Sequence, residues 1–435
     1  MNTPLKRVTV VMVVLFSLLF LNLNWVQFAE YDFYKHHEYN SRTLLEEYSR
    51  QRGSILAGDT TLAESVAVDG GTYQYQRRYP TDDPEIYGHL TGYKAVLGYG
   101  GVEQEENSFL SGDDPRLFVE QFKEMITGEQ ANGGNVVLSV DPKLQEAAWD
   151  ALTSRNGEEA AAVLTDPQTG QILAQVSTPS YDPTPLVDHD TEAATEAHDE
   201  YNAEGSGKPM LDRSAEETYP PGSTMKIITA AAALEAGMTP DTMVPAGNKY
   251  EPPNAGGDVT NAHDQCQEKE LPLKEAFARS CNTTFAKLCV EDFDGEVEDG
   301  AKAFREMAEA FGFGEQYETP LPVAASNVGD VSDPAFLAQA CFGQHEARQT
   351  PMQNALTSAA IANGGNMKQP QLVKELQAPD LTTLESTGDV TLRSPVSGDV
   401  AEGLREMMEE VVTGANGTGT DAQISGVTVG GKTGT

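Results

Sequence analysis

The chain has 435 residues, 67 Asp and Glu against 29 Lys and Arg, and a formal net charge of −38. That length calls for two or three domains, and the acidity argues against nucleic acid as a partner, because phosphate binding needs a basic surface. The acidity fits solubility or life in salty surroundings and says nothing about a reaction.

Residues 1–7, "MNTPLKR", are short and basic, and "VTVVMVVLFSLLFLNLNWVQF" (Val8–Phe28) follows. That run is long enough to cross a bilayer's hydrocarbon core. Lys6 and Arg7 precede it and Glu30 and Asp32 follow it, so the positive-inside rule places the N-terminus in the cytoplasm and the rest outside. "NLNWVQFAE" offers no small-x-small cleavage site, so 8–28 reads as a retained single-pass anchor and not as a signal peptide.

Residues 29–50 carry apolar and aromatic residues at helical spacing, as a stalk would. Residues 60–135 are rich in Gly, Tyr and short β-like runs, which suggests a small β-rich or irregular module. The texture changes at Val136: "NVVLSVDPKLQEAAWDALTSR" predicts a strand, a turn at Asp141–Pro142 and an amphipathic helix. Two apolar runs joined by "DPQTGQ" then predict a β-hairpin. Residues 187–210 are acidic and polar and read as a solvated loop. A largely helical stretch runs from the next motif to about residue 370, followed by a helix over "SGDVAEGLREMMEEVVTGANGTG". "AQISGVTVGGKTGT" closes the chain as a predicted strand.

Three short motifs carry chemistry. In "PPGSTMK" (220–226) the prolines cannot lie inside a helix, so Ser223 opens one, and Lys226 shares its face. An alkoxide at Ser223 is favoured by the helix N-terminus, and a desolvated Lys226 can accept the serine proton. Taken alone, this is equally an ordinary N-cap with a surface lysine. "ARSCNTT" sets Ser280 and Asn282 side by side, a hydroxyl to relay a proton and an amide to hold a carbonyl. In "GGKTGT", Lys432 and Thr433 can bind a carboxylate and Gly434 lets a substrate backbone approach. The N–H groups of Thr435 and Ser223 can form an oxyanion hole. Each motif is weak alone, but the order Ser-x-x-Lys, Ser-x-Asn, Lys-Thr-Gly is specific.

With these motifs the chain resembles a class B penicillin-binding protein of the actinobacterial penicillin-binding protein A type. The resemblance extends over "NSRTLLEEYSRQRGSILA", "RRYPTDDPEIYGHLTGY", "LDRSAEETYPPGSTMK" and "CFGQHEARQTPMQNALTSAAIANGG", most of the chain. It implies an α+β transpeptidase fold, an antiparallel sheet sandwiched by helices with an all-helical subdomain. It also implies a transpeptidase domain over 136–435 and a non-catalytic, dimerisation-like module over 29–135. The implied activity is that of a peptidoglycan D,D-transpeptidase acting on stem peptides ending in D-Ala-D-Ala and acylated by β-lactams. Ser223 would be the nucleophile, Lys226 the base, Ser280 the proton relay and Asn282 the substrate-amide ligand. Lys432, Thr433, Gly434 and Thr435 would bind substrate. The implied partners are cell-wall synthesis and division proteins, met through 29–135, and no cofactor is implied.

The family fold continues past Thr435 with further strands and a terminal helix, so the catalytic domain is expected to be incomplete here. A piece of a longer chain is favoured over a defective protein because every earlier motif is intact. Rival readings are a D,D-carboxypeptidase, a serine β-lactamase, a sensor domain, a bifunctional enzyme with a glycosyltransferase, and an anchored scaffold with a dead site. The four cysteines, Cys266, Cys281, Cys289 and Cys341, allow three complete pairings, and no Cys or His cluster has metal spacing. A bridge between Cys266 and Cys281 beside the site is one expectation, and two buried free thiols the other.

Overall fold

In a computed structural model the described residues are 3–30, 45, 47–69, 72–96, 98–128, 132–154, 159–262, 265–296, 298–317 and 319–434. Most of the stalk expected over 29–50, together with Thr435, lies outside them.

Helix α1 (Thr3–Asn24) continues through a π-turn over Trp25–Ala29. Lys6–Ala29 is long and apolar enough to cross a membrane. Strands β1 (Ile55–Ala57), β2 (Thr60–Ala67) and β3 (Tyr75–Arg78) follow. Among the described residues five short helical segments intervene before helix α2 (Phe118–Thr127), and strand β4 (Asn135–Leu138) follows it. Helix α3 (Pro142–Thr153) starts where expected, with Asp141 accepting from the N–H groups of Lys143 and Leu144. Strands β5 (Ala160–Thr165) and β6 (Ile172–Thr178) form the expected antiparallel hairpin.

The acidic stretch after it differs from the expected loop. Thr191–Asn202 forms helix α4, capped by Asp190 on the N–H groups of Glu192 and Ala193. The Asp N-cap and the helix-forming Ala and Glu residues outweigh the polarity that suggested a loop.

A helical layer follows: α5 (Lys226–Glu235), α6 (Leu273–Ala278), α7 (Asn282–Val290), α8 (Gly300–Ala310), α9 (Pro334–Ala340) and α10 (Pro351–Ala362). Strands β7 (Val373–Gln377) and β8 (Thr383–Ser386) precede helix α11 (Gly398–Thr413).

Two sheets organise these elements. The β5–β6 hairpin lies between α3 and α10. The second sheet has the order β8-β7-β4-β1-β2-β3. In it β1 runs parallel to β4, with Ile55 opposite Val136, and β4 runs antiparallel to β7, with Val373 opposite Leu138. The texture change at Val136 therefore does not separate two sheets. One buried core joins both halves, taking in Phe109 and Val136 as well as Ile227, Phe277, Phe285 and Leu404.

Residues 427–434 form no ladder, and nearby only an isolated bridge joins Ile424 to Val427. The strand expected there is thus not assigned. A strand is held by a neighbouring strand's N–H and C=O groups, and among the described residues no strand pairs with this segment, whose Gly431 N–H donates instead to the Met408 carbonyl of α11 at 3.0 Å.

Candidate active site

Ser223 sits on a tight turn and not on the α-helix proper. Gly222–Met225 is one 3-10 turn, after which Lys226 opens α5. Gly222 has φ +53° and donates its N–H to the Gly343 carbonyl at 2.9 Å. Gly343 has φ +83°, and a Cβ there would run into the Gly222 backbone. Glycine is needed at both positions to bring the two chains this close. Helix α5, "KIITAAAALE", is buried over Lys226–Leu234, so its small residues let neighbours pack closely around the lysine.

Lys226 is fully buried, and its Nζ lies among four oxygens: Asn282 Oδ1 at 2.7 Å, Ser223 Oγ at 2.8 Å, the Ser280 carbonyl at 2.9 Å and Ser280 Oγ at 3.0 Å. The rings of Phe285 and Phe342 stand 5.9 and 6.0 Å away. Burial, and then the nearby Lys432, push its pKa well below the ordinary lysine value. No carboxylate contacts it among the described residues.

Ser280 is placed by the end of α6. Cys281 N–H donates back to Ala276 C=O and Ser280 N–H to Phe277 C=O, the bond pattern of a Schellman cap. The cap residue is normally glycine, yet Ser280 occupies it at φ +60°. A left-handed conformation costs a residue with a Cβ about 1–2 kcal/mol. The result is a hydroxyl and a carbonyl both turned to Lys226. Cys281 is then the N-cap of α7 and Asn282 its first residue, so the second motif spans a helix end and a helix start. Asn282 is fixed from behind by its Nδ2 donating to Thr260 C=O at 3.0 Å.

Two disulfides brace this arrangement. Cys266 pairs with Cys281, and Cys289 of α7 pairs with Cys341, next to the Gly343 loop. Thr229 on α5 also donates to Cys341 C=O, at 2.7 Å. The expectation of free thiols at 266 and 281 does not describe this structure.

Lys432 Nζ donates to Ser280 Oγ at 2.9 Å and to Thr433 C=O at 3.0 Å. Burial lowers its pKa to about 7. Thr433 Oγ1 meets Thr418 Oγ1 at 2.7 Å, and Thr418 donates to Ala278 C=O at the end of α6. A Cβ on Gly434 would lie 3.4 Å from Thr224 Cγ2, so the third motif runs alongside the serine turn. Thr435 lies outside the described residues. A cleft of about 690 Å³ opens beside Asn282, lined in part by Asp258, Thr260, Phe336, Phe342 and Gln344.

The three motifs, 54 residues apart between Lys226 and Ser280 and 152 between Ser280 and Lys432, thus converge on one hydroxyl. The supports at Thr260, Thr418, Phe342 and Gly343 went unread in the sequence. Only Gly343, in "CFGQ", had a signal of its own, a glycine between two elements.

Comparison with known proteins accords with this geometry. A family model described as the penicillin binding protein transpeptidase domain matches residues 160–435. Another, the penicillin binding protein A dimerisation domain, matches 52–136. The peptidoglycan D,D-transpeptidase PbpA of Mycolicibacterium smegmatis is 40% identical over 446 residues, covering 100% of this chain and 87% of the relative. Its namesake from Mycobacterium tuberculosis is 39% identical over 441 residues, with the same coverage. Penicillin-binding protein A from M. tuberculosis, solved as a ceftriaxone acyl-enzyme complex, matches with a TM-score of 0.82 at 39% identity, over 90% of this chain and 86% of that one. The imipenem acyl-enzyme complex matches with the same score, over 90% and 88%. The chain belongs to the penicillin-binding protein transpeptidase family and has its fold.

Proposed function

We propose that the chain is a peptidoglycan D,D-transpeptidase that cross-links stem peptides ending in D-Ala-D-Ala through a Ser223 acyl-enzyme, and that β-lactams acylate the same serine. The observation that carries the reading is Lys226, buried without a counter-ion, with its Nζ 2.8 Å from Ser223 Oγ and 3.0 Å from Ser280 Oγ.

A neutral amine has two N–H groups and one lone pair. The carbonyls of Asn282 and Ser280 take the two N–H groups, which leaves the lone pair for the Ser223 proton. As Ser223 Oγ bonds to the penultimate D-alanine carbonyl carbon, its proton passes to Lys226. The bond to the terminal D-alanine nitrogen then breaks, and the proton reaches that nitrogen through the Ser280 hydroxyl. An amine of a second stem attacks the ester carbon, its proton returns by the same route, and Ser223 is restored. Lys432, as a cation, and Thr433 hold the terminal carboxylate, while Gly434 gives the substrate backbone room. The N–H groups of Ser223 and Thr435 receive the oxyanion.

Residues 8–28 anchor the chain in the cell membrane, with 1–7 in the cytoplasm and the catalytic body outside. Residues 29–135 form a non-catalytic module that meets cell-wall synthesis and division proteins, and 136–435 form the catalytic domain.

Fluorescent penicillin on the full chain tests the reading: wild type labels and Ser223→Ala does not. Equal labelling of the variant overturns it. With a stem-peptide donor and an acceptor amine, cross-linked product is expected beside free D-alanine. Free D-alanine alone would make the enzyme a carboxypeptidase.

A further inference from the structure

One aromatic side chain has the catalytic amine on one side and the open cleft on the other. The Phe342 ring stands 6.0 Å from Lys226 Nζ, and Phe342 also lines the cleft of about 690 Å³ beside Asn282. Lys226 is fully buried and does not line that cleft. Of the residues that do, Asn282 and Phe342 are the two that also meet the Lys226 amine. The other ring near the amine, Phe285 at 5.9 Å, belongs to the core and does not reach the cleft.

The ring is held in place from both sides. Its neighbour Cys341 is bridged to Cys289 of α7, and the Cys341 carbonyl accepts from Thr229 of α5 at 2.7 Å. Its other neighbour, Gly343, accepts the Gly222 N–H at 2.9 Å. The side chain packs against the small cluster of Val259, Ala286 of α7 and Ala338 of α9. The segment that places Phe342 is therefore the segment that places the serine turn.

Keeping water off an amine disfavours its charged form. The charge that bears on Lys226 from the elements around it is that of Lys432, and it acts in the same direction. Asp258 and Asp333, the carboxylates that line the cleft, act the other way, and Asp258 is already paired with Lys249 at 2.7 Å. A ring face also attracts a cation, but 6.0 Å is the outer limit of that attraction, so exclusion of water is the larger effect.

We infer that Phe342 is a positioning residue for acylation: its ring is the partition that keeps cleft water off the Lys226 amine, and so keeps that amine free to take the Ser223 proton. The inference rests on the reading of Lys226 as the base.

The test is stopped-flow acylation of the full chain in detergent micelles by fluorescent penicillin, followed over pH. Phe342→Ala should move the acid limb to higher pH by about one unit or more, a tenfold or greater loss of rate at a fixed pH on that limb. Phe342→Leu keeps an apolar side chain in the partition and should leave the limb at its wild-type position. Should the alanine variant not fold, Phe342→Val removes less of the barrier and should move the limb in the same direction by less. A loss of rate that is equal at every pH, with the limb unmoved, makes Phe342 a packing residue and overturns the inference. A limb that moves to lower pH also overturns it, because the ring's attraction for the charge then outweighs its exclusion of water. The same limb in the residual acylation of Lys226→Met assigns it to another group, and overturns the reading of Lys226 as the base and the inference with it.

Discussion

Among the described residues, two clusters of buried or half-buried cations are treated in opposite ways. Near the start of the globular body, Arg52 and Arg77 close on Glu103, at 2.7 and 2.5 Å. All three are buried, and Arg52 also bonds Asn107 while Arg77 bonds the Gly53 carbonyl. Burial pushes the Glu103 carboxyl up, but the two guanidinium groups outweigh it and hold the carboxyl below its ordinary range. In the active site, Lys226 and Lys432 close on Ser280 Oγ, and no carboxylate joins them among the described residues. The first cluster stays charged and holds strands and loops together. The second cannot keep both charges, so one amine is left free to take a proton. Withholding a counter-ion is what converts a buried lysine into a base.

The largest effect comes from removing that base. Lys226→Met should slow penicillin acylation of Ser223 by on the order of 10³-fold, while the thermal midpoint holds or rises because a buried amine without a counter-ion gives way to an apolar side chain. A fall in the midpoint as large as that of a Glu103 variant would erase the contrast.

Glu103→Gln is the mirror experiment. It leaves two buried arginines without their carboxylate and should cost roughly 3–5 kcal/mol in urea unfolding. Acylation per folded molecule should be unchanged. In the wild type this contribution is present above the unfolded glutamate pKa and is lost as pH falls through the depressed folded value.

The smallest effect is a titration. The acylation rate constant over the binding constant should fall as pH drops through the depressed pKa of Lys226, because protonation removes the base. It should also fall as pH rises through about 7, because Lys432 loses the charge that attracts a ligand carboxylate. The profile is therefore bell-shaped, with its alkaline limb set near pH 7 and limbs of about tenfold per pH unit. In Lys432→Gln the alkaline limb should vanish, and its persistence would remove Lys432 from carboxylate binding.

Much of the site was legible because its chemistry needs particular residues at short spacing. Ser223 and Lys226 are three apart at a helix start, and Ser280 and Asn282 flank a single residue. The supports were not legible, because they act through the backbone or through distant side chains. Thr260 offers only its carbonyl to Asn282, and Thr418 reaches Thr433 across 15 residues. The left-handed Ser280 was hidden because that position normally calls for glycine. In the fold, the hairpin over 160–178 and helix 142–153 followed from turn chemistry and an Asp-Pro start. Helix 191–202 is hard to read locally because its polar composition suggests a loop while its one clear signal is the Asp190 cap. The mixed sheet was beyond local pattern, since β1 finds its parallel partner some 80 residues later.

That sheet bears on how the chain can be cut or recombined. Strands β7 and β8 come from residues 373–386, inside the stretch matched by the transpeptidase model, yet they extend the sheet begun by residues 55–78. Separating the halves near residue 136 would part β4 from β1 and bare two edges. The two halves are therefore not interchangeable cassettes, and a push on the outer strands has a direct hydrogen-bonded path into the half that holds the serine.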